Sequence, residues 1–338
     1  MQIYIITARI IMKKFIYLWP LLFFAPITAM AQAGPSATLH YNKDGKFKIV
    51  QITDTHLVPD HPNSEVTLDN LSAVLDAEMP DFAIHTGDIV YGRPASEAAH
   101  LVLDNLVARG IPFAVTLGNH DGEFDLDRDQ LLELISGFDG CVNRGRDNIL
   151  TLNGPDGPER VFYLFDSGNR DQIAGISSWG YIHAPQIEWY RNASNQFKEN
   201  NGGEPVPAVA FFHIPLPEYN RALRDASCQI CGTRDEEPCS PSFNSGLYLA
   251  FREQGDVEAV STGHDHNNDF VAYWQGFFFI YGRYGCFDNV YNDLQPSGVR
   301  VFEFTQGKKG FRTWIRLADG SKIQELHLYP GLKRLGLE

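Results

Sequence analysis

Two imidazoles stand one residue apart in Thr262–Gly263–His264–Asp265–His266. If this stretch ends a strand, alternate side chains share a direction, so both rings can project into one cavity. Four other short polar stretches lie upstream, each just after an apolar run: Asp54-x-His56, Gly87–Asp88, Gly118–Asn119–His120–Asp121, and His213. Carboxylate, amide oxygen and imidazole suit borderline divalent or ferric cations rather than the soft ions that seek thiolates. Asp54, His56, Asp88, Asn119, His213, His264 and His266 are too many donors for one ion. A bridging carboxylate would let two ions share them, and ions about 3.5–4 Å apart are a recurring arrangement for phosphoester hydrolysis. Taken singly, each residue has a plainer reading. A histidine after an apolar strand is an ordinary hydrogen-bonded core residue, Asn119 a turn residue and Asp88 a helix cap. The ordered set is what points to metal.

The elements around these stretches follow from hydrophobic spacing. Phe47–Thr53 is a short apolar strand leading into Asp54. Leu68–Met79 repeats at helical spacing and stops at Pro80. Asp81–Thr86 is a second strand, Ala95–Arg109 a second helix ended by Gly110, and Ile111–Leu117 a third strand. Strand, helix, strand, helix, strand at these lengths describes a largely parallel sheet. Ligands in such sheets bind beyond the carboxyl ends of the strands, where the first three polar stretches fall. Further on, Leu126–Phe138 and Pro185–Glu199 read as helices. Asn148–Leu152 and Val161–Asp166 form a hairpin across the Gly154–Pro158 turn signals. Val206–Phe212 and Val257–Thr262 are strands delivering His213 and the paired histidines, with a helix at Asn244–Glu253 before the second. Phe270–Trp274, Phe277–Tyr281, Val299–Thr305 and Phe311–Arg316 alternate as antiparallel strands. No repeat or inter-domain linker interrupts residues 47–330, which read as one domain after a flexible entry at 32–46. Residues 225–242 read as an irregular cysteine-containing insertion.

The five blocks, in this order over residues 54–266, resemble the signature of the calcineurin-like metallophosphoesterases. The wording VQITDTH, FFHIPLPEY and GHDHNND is similar to the purple-acid-phosphatase-like branch of plants and fungi. The resemblance implies an α/β fold, a four-layer sandwich of two mixed sheets flanked by helices. It implies two metal ions (iron, zinc or manganese) and hydrolysis of phosphate monoesters by a metal-bound hydroxide, with phosphodiesters the close alternative. It implies that Asp54, His56 and His266 hold one ion, that Asn119, His213 and His264 hold the other, and that Asp88 bridges them. His120 would protonate the leaving alkoxide, oriented by Asp121. True purple acid phosphatases lack the first-block histidine and use a tyrosine three residues after the bridging aspartate. This chain has His56 and also Tyr91 at that spacing; His56 is taken as the ligand and Tyr91 as the alternative. A rival of another class is a non-catalytic metal-binding protein that keeps the fold.

Outside the set, His85 reads as a packed strand histidine, and His183 and Arg283 as candidate substrate contacts. An arginine fork would suit a phosphate, although structural pairing is equally available to Arg283. Residues 1–31 read as a signal peptide: Lys13 and Lys14 precede the apolar run Phe15–Ile27, and Ala29–Met30–Ala31 supplies a small-residue cleavage site. The chain is then exported, periplasmic or secreted, without a stable membrane anchor. The net charge of −14 becomes more negative once Arg9, Lys13 and Lys14 leave. Such a surface argues against sheathing a nucleic acid and leaves a small phosphorylated substrate, provided metal reverses the local sign. Among Cys141, Cys228, Cys231, Cys239 and Cys286, the spacing of the middle three favours a local disulfide over a zinc site in an exported protein.

Overall fold

The computed structural model describes residues 35–336, so the leader read in residues 1–31 lies outside the described residues. The stretch read as a flexible entry contains a strand, β1 (Ala37–His40). Only Leu39 of its four residues is buried, which leaves no alternation to read in the sequence. The next strand, β2 (Lys46–Ile52), has no polar face. Phe47 and Ile49 enter the core between two sheets, while Val50 and Ile52 pack beneath helices. Burial on both faces turns a central strand into a near-continuous apolar run.

From β2 the chain alternates as its spacing predicts: α1 (Pro62–Glu78), β3 (Phe82–His85), α2 (Ala95–Ala108), β4 (Phe113–Val115) and α3 (Arg128–Ser136). Two of the helix starts have a local cause. Pro62 sits in the first turn of α1 behind the His61 cap, and Asp127 and Gln130 form a reciprocal capping box on α3. The chain continues through β5 (Asn148–Gly154), β6 (Gly157–Leu164), β7 (Arg170–Ile173), β8 (Ile176–Trp179), α4 (Ala184–Asn200), β9 (Ala208–Phe211), α5 (Pro217–Leu223), β10 (Gln229–Cys231) and α6 (Leu247–Gln254). It closes with β11 (Val257–Thr262), β12 (Val271–Trp274), β13 (Phe277–Tyr281), β14 (Gly298–Thr305), β15 (Phe311–Leu317) and β16 (Lys322–Leu328).

One sheet runs β1-β5-β6-β9-β11-β13-β12-β10 and the other β16-β15-β14-β2-β3-β4. The centre of each is parallel: β2, β3 and β4 in one, and β6, β9, β11 and β13 in the other. Antiparallel strands complete the flanks, and β7 and β8 form a separate hairpin. Three buried clusters define four layers. Phe162, Phe211, Phe278, Phe302 and their neighbours fill the space between the sheets. α1, α2 and α3 cover the outer face of the six-stranded sheet, and α4, α5 and α6 that of the eight-stranded one. No helix among the described residues is long and apolar enough to cross a membrane.

Several elements escape sequence reading. β7 and β8 are largely exposed and show no apolar alternation, and β16 mixes charge into its pattern. Residues 225–242 are not wholly irregular, because β10 joins the sheet edge against β12. The expected local disulfide is also absent: all five cysteines are free thiols. Cys228 packs against the helix-side core and Cys231 against the inter-sheet core, so the edge of the sheet separates them.

Candidate metal centre

Every block of the candidate set lies just past the carboxyl end of a parallel strand: β2 delivers Asp54 and His56, β3 Asp88, β4 Asn119 and His120, β9 His213, and β11 His264 and His266. The backbone there is unusual. Asp54 (φ 54°), His56 (φ 41°), Asp88 (φ 53°) and His264 (φ 77°) are all left-handed although none is glycine. Each such residue costs of order 1 kcal/mol or more and persists only where its surroundings over-determine it. They do so here. The Asp54 amide donates to Gly87 O (3.0 Å), the His56 amide to Asp88 O (3.0 Å), and the His264 amide to both Asp54 carboxylate oxygens (3.2 Å each). Gly118 has a steric reason: a β-carbon there would stand 2.2 Å from Asp88 Oδ1.

Two buried triads result, Asp54–His56–His266 and Asp88–His213–His264, each with ligand atoms within 4.8 Å of one another. Asp88 is the pivot. Its Oδ2 lies 3.3 Å from His56 Nε2 and 3.2 Å from His213 Nε2, while Oδ1 accepts the His120 amide at 2.7 Å. Asn119 Oδ1 joins the second triad 3.1 Å from His213 Nε2. Two rings are locked from behind by carbonyls, which can only accept: His213 Nδ1 donates to Thr86 O and His266 Nδ1 to Tyr291 O, both at 2.8 Å. That bond leaves Nε2 of each ring facing the cluster, the usual device for presenting an imidazole to a metal. Tyr284 and Tyr291 stack on the His266 ring, each 4.4 Å from it, and Trp179 meets His264 edge-on at 4.5 Å.

The electrostatics describe a site short of positive charge. Burial raises the Asp88 carboxyl, but the adjoining His213 and His56 overcome this and hold it well below the usual range. Burial likewise opposes a proton on His213, yet Asp88 pushes that ring up to about 9. Burial, then the charge on His213, keeps His264 well below its ordinary value, and burial with His56 lowers His266 to about 3. His56 Nδ1 and His264 Nε2 are buried without a hydrogen-bond partner, and His56 Nε2 has only its 3.3 Å approach to Asp88. An orphaned buried polar atom costs about 1–3 kcal/mol, and cations accepting these lone pairs would remove that cost. The donor set therefore fits two borderline cations. No thiol belongs to it.

The companion residues correct several expectations. Asp121 does not orient His120. Its Oδ1 accepts the amides of Ile89 (2.9 Å) and Val90 (3.2 Å) and its Oδ2 that of Gly118 (2.9 Å), so the buried carboxylate staples the loops together. His120 Nδ1 instead lies 2.7 Å from Glu123 Oε2. Tyr91 stands beside the cluster, edge-on to His56 at 5.2 Å and to His120 at 4.9 Å. Arg283 is buried and spent on structure, donating to Asp269 (2.6 Å), Leu294 O (2.7 Å) and Pro296 O (2.8 Å), which leaves no fork for a phosphate. His183 caps α4 and pairs with Asp171 at 3.3 Å. His85 is a packed strand histidine bonded to Thr55 Oγ1 at 3.1 Å, and burial lowers it to about 3.

Two residues invisible to sequence reasoning hold the site from outside. Arg128, at the start of α3, donates to the carbonyls of Gly118 and Asp121 and pairs with Asp166. Gln51, near the carboxyl end of β2, donates to Thr86 Oγ1 (3.0 Å) and Thr262 O (3.2 Å) and accepts from Ser261 (2.6 Å), tying the two sheets together below the cluster. Gln51 stands at least 35 residues from its partners, and Arg128 reaches back across a loop to carbonyls 7 and 10 residues away, so no residue pattern announces either contact.

Residues 47–268 match the profile of the calcineurin-like phosphoesterase family. Among curated proteins, the chain is 29% identical to "Probable inactive purple acid phosphatase 14" of Arabidopsis thaliana, over 83% of each chain. It is 28% identical to the phosphatase DCR2 of Saccharomyces cerevisiae, over 84% of this chain and 56% of the yeast protein. Among solved structures, a dimetal phosphatase from Danio rerio superposes with a TM-score of 0.58 at 16% identity, covering 84% of this chain and 99% of the other.

Proposed function

This chain belongs to the calcineurin-like phosphoesterase family, hydrolases of phosphoric ester bonds, and from that premise we propose that it is a metal-dependent phosphomonoesterase with a binuclear centre. The observation that carries the reading is the pair of buried triads meeting beside Asp88, with nitrogens of His56 and His264 left unpartnered. Asp54, His56 and His266 would hold one ion, Asn119, His213 and His264 the other, and Asp88 would reach both. Iron, zinc and manganese all suit such donors. When bound, the ions polarise phosphoryl oxygens and lower the pKa of an attacking water.

The chain's own residues do the remaining work. Asp88 keeps the two halves in register and clamps the His120 backbone. His120, half-exposed at the edge of the cluster, gives a proton to the ester oxygen as the P–O bond breaks. With water attacking directly, no covalent enzyme intermediate forms. A leader at residues 1–31 would carry the protein to the periplasm or out of the cell, where a small phosphorylated molecule would be its substrate. The Arabidopsis relative carries the word inactive in its name, and a non-catalytic metal-binding protein is the reading that would follow from it. Against that, every ligand position and His120 are present here.

The test is a panel of phosphomonoesters and phosphodiesters with manganese, zinc or iron, run on wild type and His120→Ala. The variant should keep its metal content and lose about 10²–10⁴-fold in turnover. Preference for diesters would move the assignment to a phosphodiesterase. Absence of hydrolysis with every metal would defeat the enzyme reading.

A further inference from the structure

We propose that Glu123 is the positioning residue of His120, holding Nδ1 so that the ring presents Nε2 to the ester oxygen it protonates; this rests on the phosphoesterase reading above. Residues His120–Asp121–Gly122–Glu123 form a closed turn, with the Glu123 amide donating to His120 O at 3.1 Å. Gly122, at the third position, has φ 112°, which a side chain would resist. The turn brings the side chains at its two ends together, and His120 Nδ1 donates to Glu123 Oε2 at 2.7 Å. The residue next to His120 cannot take this role, because both Asp121 carboxylate oxygens are occupied by backbone amides.

Among the described residues, the ring's aromatic neighbours meet it edge-on. Tyr91 meets it at 4.9 Å and His56 at 5.4 Å, while the bond from the His120 amide to Asp88 fixes the backbone alone. Those contacts limit where the imidazole lies but not which nitrogen carries the proton. A carboxylate accepts and does not donate, so Glu123 assigns the Nδ1 hydrogen and leaves Nε2 as the nitrogen that works on the ester. In the step itself the ring enters as the imidazolium, protonated on both nitrogens: the P–O bond breaks, its electron pair stays on the ester oxygen, that oxygen takes the proton from Nε2, and the ring is left as the neutral Nδ1–H form that Glu123 holds. A Glu123 carbonyl oxygen, as in Glu123→Gln, would keep the acceptor; Glu123→Ala would remove it.

Leaving groups of different basicity provide the test. Nitrophenolate departs without help, whereas an alkoxide needs the proton, so defective positioning should show in the ratio of turnover on glycerol phosphate to that on p-nitrophenyl phosphate. With both metals retained and KM little changed, Glu123→Ala should lower this ratio about tenfold or more, in the direction of His120→Ala. Glu123→Gln should fall between Ala and wild type. In long-range proton–nitrogen spectra of the metal-loaded protein, the Nδ1-protonated tautomer of His120 should be present in wild type and lost in Glu123→Ala. An unchanged ratio and tautomer would overturn the proposal, as would an equal loss on both esters accompanied by metal loss, which marks a structural role. If Glu123→Ala leaves the ratio alone while His120→Ala lowers it, the positioning role fails and the phosphoesterase reading stands. A wild type that hydrolyses neither ester sinks that reading and this inference with it.

Discussion

Gly263 separates strand β11 from the paired histidines, and its replacement by alanine is the smallest perturbation that should disable the site. A β-carbon built there lies 1.9 Å from Thr53 Oγ1 and 2.5 Å from Asp54 Oδ2, where ordinary contact begins near 3.4 Å. Thr53 could rotate away only by giving up its 2.6 Å bond to Asp54. The Asp54 carboxylate would still have to retreat by about 1 Å, while it also accepts the His264 amide. A displacement of about 1 Å at a reacting centre costs roughly 10²-fold in rate. Overpacking should take a further 1–3 kcal/mol, roughly, from stability, which leaves a domain of this size folded. The assay is metal content per chain by mass spectrometry, together with turnover on p-nitrophenyl phosphate after loading with manganese or zinc. Affinity should fall on the side held by Asp54, His56 and His266, and turnover should fall about a hundredfold. Gly145→Ala, where an added β-carbon meets nothing within 4 Å, is the control. A Gly263→Ala protein with two ions per chain at wild-type affinity and wild-type turnover would refute the steric argument and the role given to Asp54.

Arg128→Ala removes the cation that holds the carbonyls of the Asn119–His120 loop and leaves Asp166 paired with Arg146 and the Gly168 amide. Metal affinity on the Asn119 side should drop about 10–100-fold, the usual cost of losing an outer partner, and unchanged titrations of both ions would contradict this. Glu78 offers a test of stability away from the site: it accepts from Trp314 Nε1 (2.9 Å) and Arg316 Nε (2.6 Å) and pairs with Lys48 (3.1 Å). Burial alone would raise its carboxyl, but these three donors lower it. A depressed carboxyl stabilises the fold above its unfolded pKa of about 4.3, and that contribution disappears as pH falls through the lower folded value. Glu78→Gln should therefore cost about 1–3 kcal/mol at pH 7 by urea unfolding, with the gap to wild type closing below about pH 4. A gap that stays constant down to pH 3 would show that the ion pairs contribute little.

The alternation of elements was legible because both faces of β2, β3, β9 and β11 are buried, so each reads as an apolar run, and because α1, α2 and α3 carry helical spacing, with local caps on α1 and α3. β1 was not, since its pairing comes from the distant β5, and β7, β8 and β16 were not, since their exposed or charge-mixed residues show no apolar alternation. The left-handed backbone at Asp54, His56, Asp88 and His264 is likewise hidden, because Asp and His tolerate that region more often than most residues but too rarely for residue type to place it.

What the sequence determined by itself was the inventory of donors and their places at strand ends. Residue type sets which cations can bind, and a polar residue directly after a buried strand has to emerge at the sheet's carboxyl edge. Which donor meets which was decided only in the tertiary structure. Asp121 follows His120 directly yet faces the amides of another loop, while Glu123 reaches the ring through a turn. Arg283, free on paper to grip a phosphate, is taken by Asp269 and two carbonyls. Covalent neighbours set reach, but a side chain's partner is whichever complementary group folding brings within about 3 Å, and that group can lie two hundred residues away.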